Sequence, residues 1–86
     1  MFVILTYDIN KKRVAKVMKI CRKYLVHVQK SVFEGFLTEK KLEHLKSEID
    51  NVIQAETDAV CIYRLDTVKF TEKYQIGRLE AHDSII

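Results

Sequence analysis

The segment Phe2-Val3-Ile4-Leu5-Thr6-Tyr7-Asp8-Ile9-Asn10-Lys11-Lys12-Arg13 decides the fold. Its first six residues are apolar, β-branched or aromatic with one threonine among them, which predicts a strand buried on both faces. Asp8 ends the strand. Either Asn10 or Asp8 can then cap a helix through its side-chain oxygen. Val14, Val17, Met18, Cys21 and Leu25 recur at helical spacing and form the core stripe of that helix.

Beyond the first helix, Val26, Val28, Val32, Phe33, Phe36 and Leu37 make a β-like stretch. Gln29, Lys30 and Ser31 interrupt it, and Gly35 permits a bulge or bend, so it reads as two short strands or one sharply bent strand. Thr38 is placed to cap a second helix with Glu39 in its first turn, and Leu42, Leu45, Ile49, Val52 and Ile53 carry that helix to about Ala55. Ala59 to Leu65 gives another strand. Val68, Phe70 and the stretch 74–79 suggest one more short strand at the C-terminal end, with 74–79 beyond the basic fold, and 80–86 reads as a loose tail or a partner-contacting segment. The order β-α-β-β-α-β, plus that C-terminal strand, predicts an α+β, ferredoxin-like split βαβ sandwich with two helices on one face of an antiparallel sheet.

The 86 residues contain no proline and two glycines, and 48% are hydrophobic, so residues 1–86 read as a single domain. A domain of this size buries only roughly 60 to 65% of its unfolded surface, which makes dimerisation plausible on size alone. Cys21 and Cys61 lie far apart among apolar neighbours and outside any Cys-x-x-Cys pair, and both read as core thiols. With no signal-like or membrane-spanning run, the expected location is the cytoplasm.

Charge is unevenly spread. Between Ile9 and Phe33 there are eight basic residues and no acid, whereas the other seven basic residues share the rest of the chain with all twelve acids. Lys12, Lys16, Lys19 and Lys23 repeat at i, i+4, i+7 and i+11, a basic stripe on one helix face suited to nucleic-acid phosphates. Lys11, Lys12 and Arg13 occupy the first helical turn, where the macrodipole disfavours cations and the unpaired N–H groups favour an anion. They read as a phosphate site or as an ordinary solvated charge run. Tyr7, Tyr24 and Phe33 read as a base-stacking platform or as core, with Phe33 the foremost stacking candidate because it flanks Lys30 and Ser31. Asp8 reads as a functional carboxylate or as a helix cap. His27, His44 and His82 have no metal-site spacing, and no Gly-rich phosphate loop is present.

Taken in order, Val3 to Ile9, the basic start of helix one, Val28-Gln29-Lys30-Ser31-Val32-Phe33-Glu34-Gly35 and Asp58 to Leu65 resemble the CRISPR-associated protein two family. The resemblance runs over residues 2 to 65. It implies a homodimer that bridges two dimers of the CRISPR integrase subunit in the spacer-acquisition complex and holds the DNA segment being inserted. It also implies a metal-dependent endonuclease acting on single-stranded RNA or double-stranded DNA. By matching position, Asp8 is the catalytic residue and magnesium (Mg2+) ligand, and Tyr7, Lys11, Arg13 and Phe33 are substrate-side residues. His27 and Lys11 stand where several relatives carry arginine. Because magnesium usually takes one or two carboxylates plus phosphate oxygens, the two Asp8 side chains of a dimer are expected to share the ion. The alternative is a purely architectural DNA-binding dimer in which Asp8 only caps a helix.

Overall fold

The computed structural model describes residues 1–67 together with Tyr74 and Ile76. Six elements follow one another: β1 (Phe2–Asp8), α1 (Lys11–Arg22), β2 (Val26–Gln29), β3 (Val32–Phe36), α2 (Glu39–Asp50) and β4 (Ala59–Leu65). The strands lie in the order β2-β3-β1-β4, with every neighbouring pair antiparallel. This is the predicted split βαβ arrangement. The C-terminal strand expected over 74–79 and the tail at 80–86 lie outside the described residues, apart from the exposed Tyr74 and Ile76.

One core joins the sheet to both helices: Val3, Leu5 and Phe33 from the strands meet Val17 and Cys21 of α1 and Leu42, Leu45 and Ile49 of α2. Full burial of each such aliphatic side chain is worth about 1.5–3 kcal/mol relative to exposure. Because both helices cover the same face, β1 alternates: Val3 and Leu5 are fully buried, whereas Phe2, Ile4 and Thr6 are only partly so. The expectation of burial on both faces therefore fails within one chain. The uncovered face keeps an apolar character, with Phe2 against Phe36 edge to face (5.0 Å between ring centroids) and Ile4 opposite Tyr63. Cys61, opposite Thr6, lies on that face and is exposed, so only Cys21 is a core thiol, its pKa pushed up to about 12 by burial.

Three local expectations shift for identifiable reasons. Lys30 and Ser31 form a two-residue turn, giving two strands; the irregularity falls at Val28, between the pairs His27–Phe33 and Gln29–Val32. Gly35 stays in register opposite Val3, and its missing side chain leaves room for Leu25, whose Cδ2 would stand 3.2 Å from an added Cβ. Finally, α2 is capped by Thr38, whose hydroxyl accepts from the Lys41 N–H (3.2 Å), but it ends at Asp50 rather than near Ala55. Val52 and Ile53 still pack on the core from the turn beyond it, which is why their periodicity resembles helix.

Candidate nucleic-acid interface

Asp8 closes β1 opposite Ala59, and its side chain is exposed. The cap of α1 is Asn10, whose Oδ1 accepts from the Lys12 N–H at 2.9 Å. That settles which residue caps the helix. Among the described residues, the Asp8 carboxylate makes no hydrogen bond or ion pair, so nothing in the fold accounts for it. By strand alternation it shares the open sheet face with Phe2, Ile4 and Thr6.

The expected demand for negative charge at the cationic start of α1 is met from within the chain. Asp58, in the turn before β4, accepts from Arg13 Nε–H (2.6 Å) and Nη2–H (3.0 Å) and from the backbone N–H groups of Asn10 and Gln54 (3.0 Å each). Its side chain has no solvent exposure, and that of Arg13 is 18% exposed. The guanidinium, with the two backbone donors, holds the Asp58 carboxyl far below the usual carboxylate range, and Arg13 is raised in turn. Arg13, expected at the phosphate, is therefore engaged elsewhere. Sequence reading missed Asp58: three cations in a first turn without an acid signalled a missing countercharge, but a partner 45 positions away has no readable spacing.

The aromatic candidates separate. Phe33 is completely buried, stacked on His27 with ring centroids 4.3 Å apart and planes 9° from parallel. It offers no face to a base, which corrects the stacking expectation; its place opposite Leu5 puts it on the core side of the sheet. Tyr7 is half-buried over Phe33, its hydroxyl donates to the Lys30 carbonyl (3.1 Å), and burial raises its phenol. Tyr24 is held by its hydroxyl on Glu48. His27 is buried too, with Nε2 3.3 Å from the Lys30 carbonyl and Nδ1 without a partner. It cannot reach out as an arginine would. Tyr7, Asp8, Val14, Met18, His27 and Ser31 line part of a cleft of ≈ 390 Å³.

The basic stripe divides as well. Lys23 is paired with Glu48, whose carboxyl is lowered first by Lys23 and then by Tyr24. Lys11, Lys12, Lys16 and Lys19 are exposed and form no ion pair among the described residues. From Lys12 to Lys19 the row runs about 10 Å along α1 at about 1.5 Å per residue. Such a row can meet successive backbone phosphates without reading sequence.

Among the described residues, no group of three or more His, Cys, Asp or Glu side chains could hold a metal. No helix among them is long and apolar enough to cross a membrane.

An antiparallel 4-1-3-2 sheet under two helices, with a carboxylate at the end of its first strand and a row of exposed lysines on its first helix, both without ion pairs among the described residues, defines a small ferredoxin-like α+β domain with a cationic helix. The chain belongs to the CRISPR associated protein Cas2 family, whose model matches residues 1–73. A protein of Dictyoglomus turgidum named CRISPR-associated endoribonuclease Cas2 is 46% identical over 77 residues, covering 90% of this chain and 88% of that protein. One of the same name from Thermotoga maritima is 44% identical over 86 residues, covering 100% and 99%. A solved structure described as the crystal structure of cas2 superposes with a TM-score of 0.82 at 36% identity, covering 94% of this chain and 91% of that one.

Proposed function

We propose that this chain is a magnesium-dependent endonuclease that works as a homodimer in spacer acquisition, where it also binds DNA and bridges dimers of the integrase subunit. The observation that carries the nuclease reading is the Asp8 carboxylate, exposed at a strand end and left without a partner among the described residues. Similar proteins bear the name endoribonuclease, so single-stranded RNA is the first substrate to test and double-stranded DNA the second.

Asp8 fits half of a magnesium site. The ion usually takes one or two carboxylates, phosphate oxygens and several waters, and one chain supplies one Asp8 carboxylate. A second copy supplies the other. The apolar open face supports that pairing, since Phe36 is 69% and Tyr63 55% exposed and a contiguous apolar surface of this kind marks an interaction site. By alternation Asp8 ends a strand of that face, and a two-fold axis passing near the end of β1 would bring two carboxylates together.

Held by Asp8, such an ion would supply a more acidic bound water and a countercharge for the negative charge on the phosphoryl oxygens. The chain's own residues do the remaining work. Asp8 presents ligand oxygens, and Lys11 and Lys12, exposed at the start of α1, attract and orient the phosphate. Lys16 and Lys19 extend the grip along the backbone. Tyr7, fixed by its bond to Lys30, walls the cleft beside Asp8, while Phe33 and His27 stiffen the floor from the core.

The test is cleavage of short single-stranded RNA and duplex DNA with magnesium, with chelator, and by Asp8→Asn protein. Cleavage should require magnesium and disappear in Asp8→Asn, with nucleic-acid binding retained. Magnesium-dependent cleavage by Asp8→Asn overturns the assignment. Absence of cleavage by the wild type on both substrates favours an architectural dimer.

A further inference from the structure

Asp58 is used by nothing in the reaction outlined above, yet it is the most heavily partnered carboxylate among the described residues. Besides the two N–H groups of Arg13 and those of Asn10 and Gln54, the Thr57 hydroxyl reaches its Oδ1 at 3.4 Å. An ionised carboxylate offers about four lone-pair sites, so Asp58 has none left for a metal or a substrate. Burial closes it to both.

What Asp58 holds is informative. Through Asn10 it fixes the backbone leaving β1, two residues after Asp8; through Gln54 it fixes the turn after α2. The residue that follows it, Ala59, is the cross-strand partner of Asp8. Asp8 is thus pinned from two directions, by the β1–β4 ladder on one side and by the Asn10 anchor on the other. Arg13 belongs to the same clamp: its Nη2 also donates to the Thr57 hydroxyl at 3.0 Å, which leaves it turned toward this turn.

We infer that Asp58 is a positioning residue for Asp8, holding the end of β1 so that the exposed carboxylate keeps one direction, and that Arg13 serves through Asp58 and not as a phosphate ligand. The inference rests on the reading of Asp8 as the magnesium ligand. A side chain that orients a ligand without touching the ion acts through the affinity for the metal.

The discriminating experiment uses the full chain and two readouts. The first is the magnesium concentration that shifts the Asp8 backbone amide in NMR, titrated without nucleic acid, together with hydrogen exchange at Asn10 and Gln54. The second is RNA cleavage, separated into its magnesium midpoint and the KM for RNA. In Asp58→Asn, exchange at both amides should quicken, and both magnesium midpoints should rise about tenfold or more, the range for orienting partners of metal ligands, with KM changed less than about twofold. Arg13→Lys keeps the charge but loses the two-pronged grip, and it should show a smaller rise of the same kind. It is the deciding variant if Asp58→Asn fails to fold.

Faster exchange with unmoved magnesium midpoints reduces Asp58 to a structural role and overturns the inference, leaving the Asp8 reading intact provided Asp8→Asn is inactive. A raised KM for RNA in Arg13→Lys with an unmoved magnesium midpoint makes Arg13 a phosphate ligand and overturns it equally. An active Asp8→Asn protein instead removes the reading beneath it.

Discussion

Two aspartates lie at one end of the sheet. At the end of β1, Asp8 is exposed and engages nothing among the described residues. In the turn before β4, Asp58 is enclosed and bound by an arginine and two backbone N–H groups. The same functional group has been given opposite tasks by its surroundings. Ionised oxygens with every lone pair engaged can only hold structure, whereas ionised oxygens left open to solvent can take a cation. The partners each carboxylate has, more than its nearness to the strand end, separate the acid that holds the fold from the acid left open to solvent.

The contrast can be broken most forcefully at Arg13. Arg13→Ala leaves Asp58 as a buried charge without its cation, and the melting temperature should fall by roughly 10 °C or more, since breaking a buried pair is far costlier than losing a surface one. Thermal unfolding followed by circular dichroism measures this. A fall of only a degree or two would mean that the clamp does not hold the two turns together.

A second, smaller effect comes from acid. Because the folded-state pKa of Asp58 lies far below its unfolded value, its contribution to stability is fully present above the unfolded value, which is near pH ~4. It is lost as pH falls through that value toward the folded one. Denaturant unfolding of the wild type should therefore weaken steadily from about pH 5 down to about pH 2, with a shallower limb in Asp58→Asn. Equal limbs would remove the linkage.

The smallest effect lies along α1. Replacing Lys12, Lys16 and Lys19 together with glutamine should weaken duplex DNA binding and flatten its salt dependence by up to about 0.9 for each phosphate no longer neutralised. Lys23→Gln should leave the slope almost unchanged, because Lys23 is already paired with Glu48. Equal flattening by both variants would show that the paired and unpaired lysines are equivalent.

How much of this was legible in the sequence follows from the range of the interactions. Helix and strand periodicities are local, so the core positions Val17, Cys21, Leu42, Leu45 and Ile49 and the strand Ala59–Leu65 could be read directly. The end of α2 could not, because Val52 and Ile53 keep apolar periodicity while leaving the helix. Asp8 stood out as a carboxylate at a strand–helix junction, but its freedom became visible only when Asn10 proved to be the cap. Phe33 beside Lys30 and Ser31 suggested a stacking surface, yet register with Leu5 turns it inward. Asp58 was invisible as a site because its meaning lies in pairing across the chain.

The most direct measurement compares the two aspartates in one pair of assays: magnesium-dependent cleavage of single-stranded RNA and melting temperature, for Asp8→Asn and Asp58→Asn side by side. Asp8→Asn should lose cleavage by about 10²- to 10³-fold, the equivalent of several kcal/mol of metal-assisted stabilisation, while melting within about 2 °C of the wild type, as exposed substitutions do. Asp58→Asn should melt well below both and, at raised magnesium, recover cleavage. An Asp8→Asn protein that cleaves at the wild-type rate, or that loses activity only because it has unfolded, would contradict the division of labour between the two carboxylates.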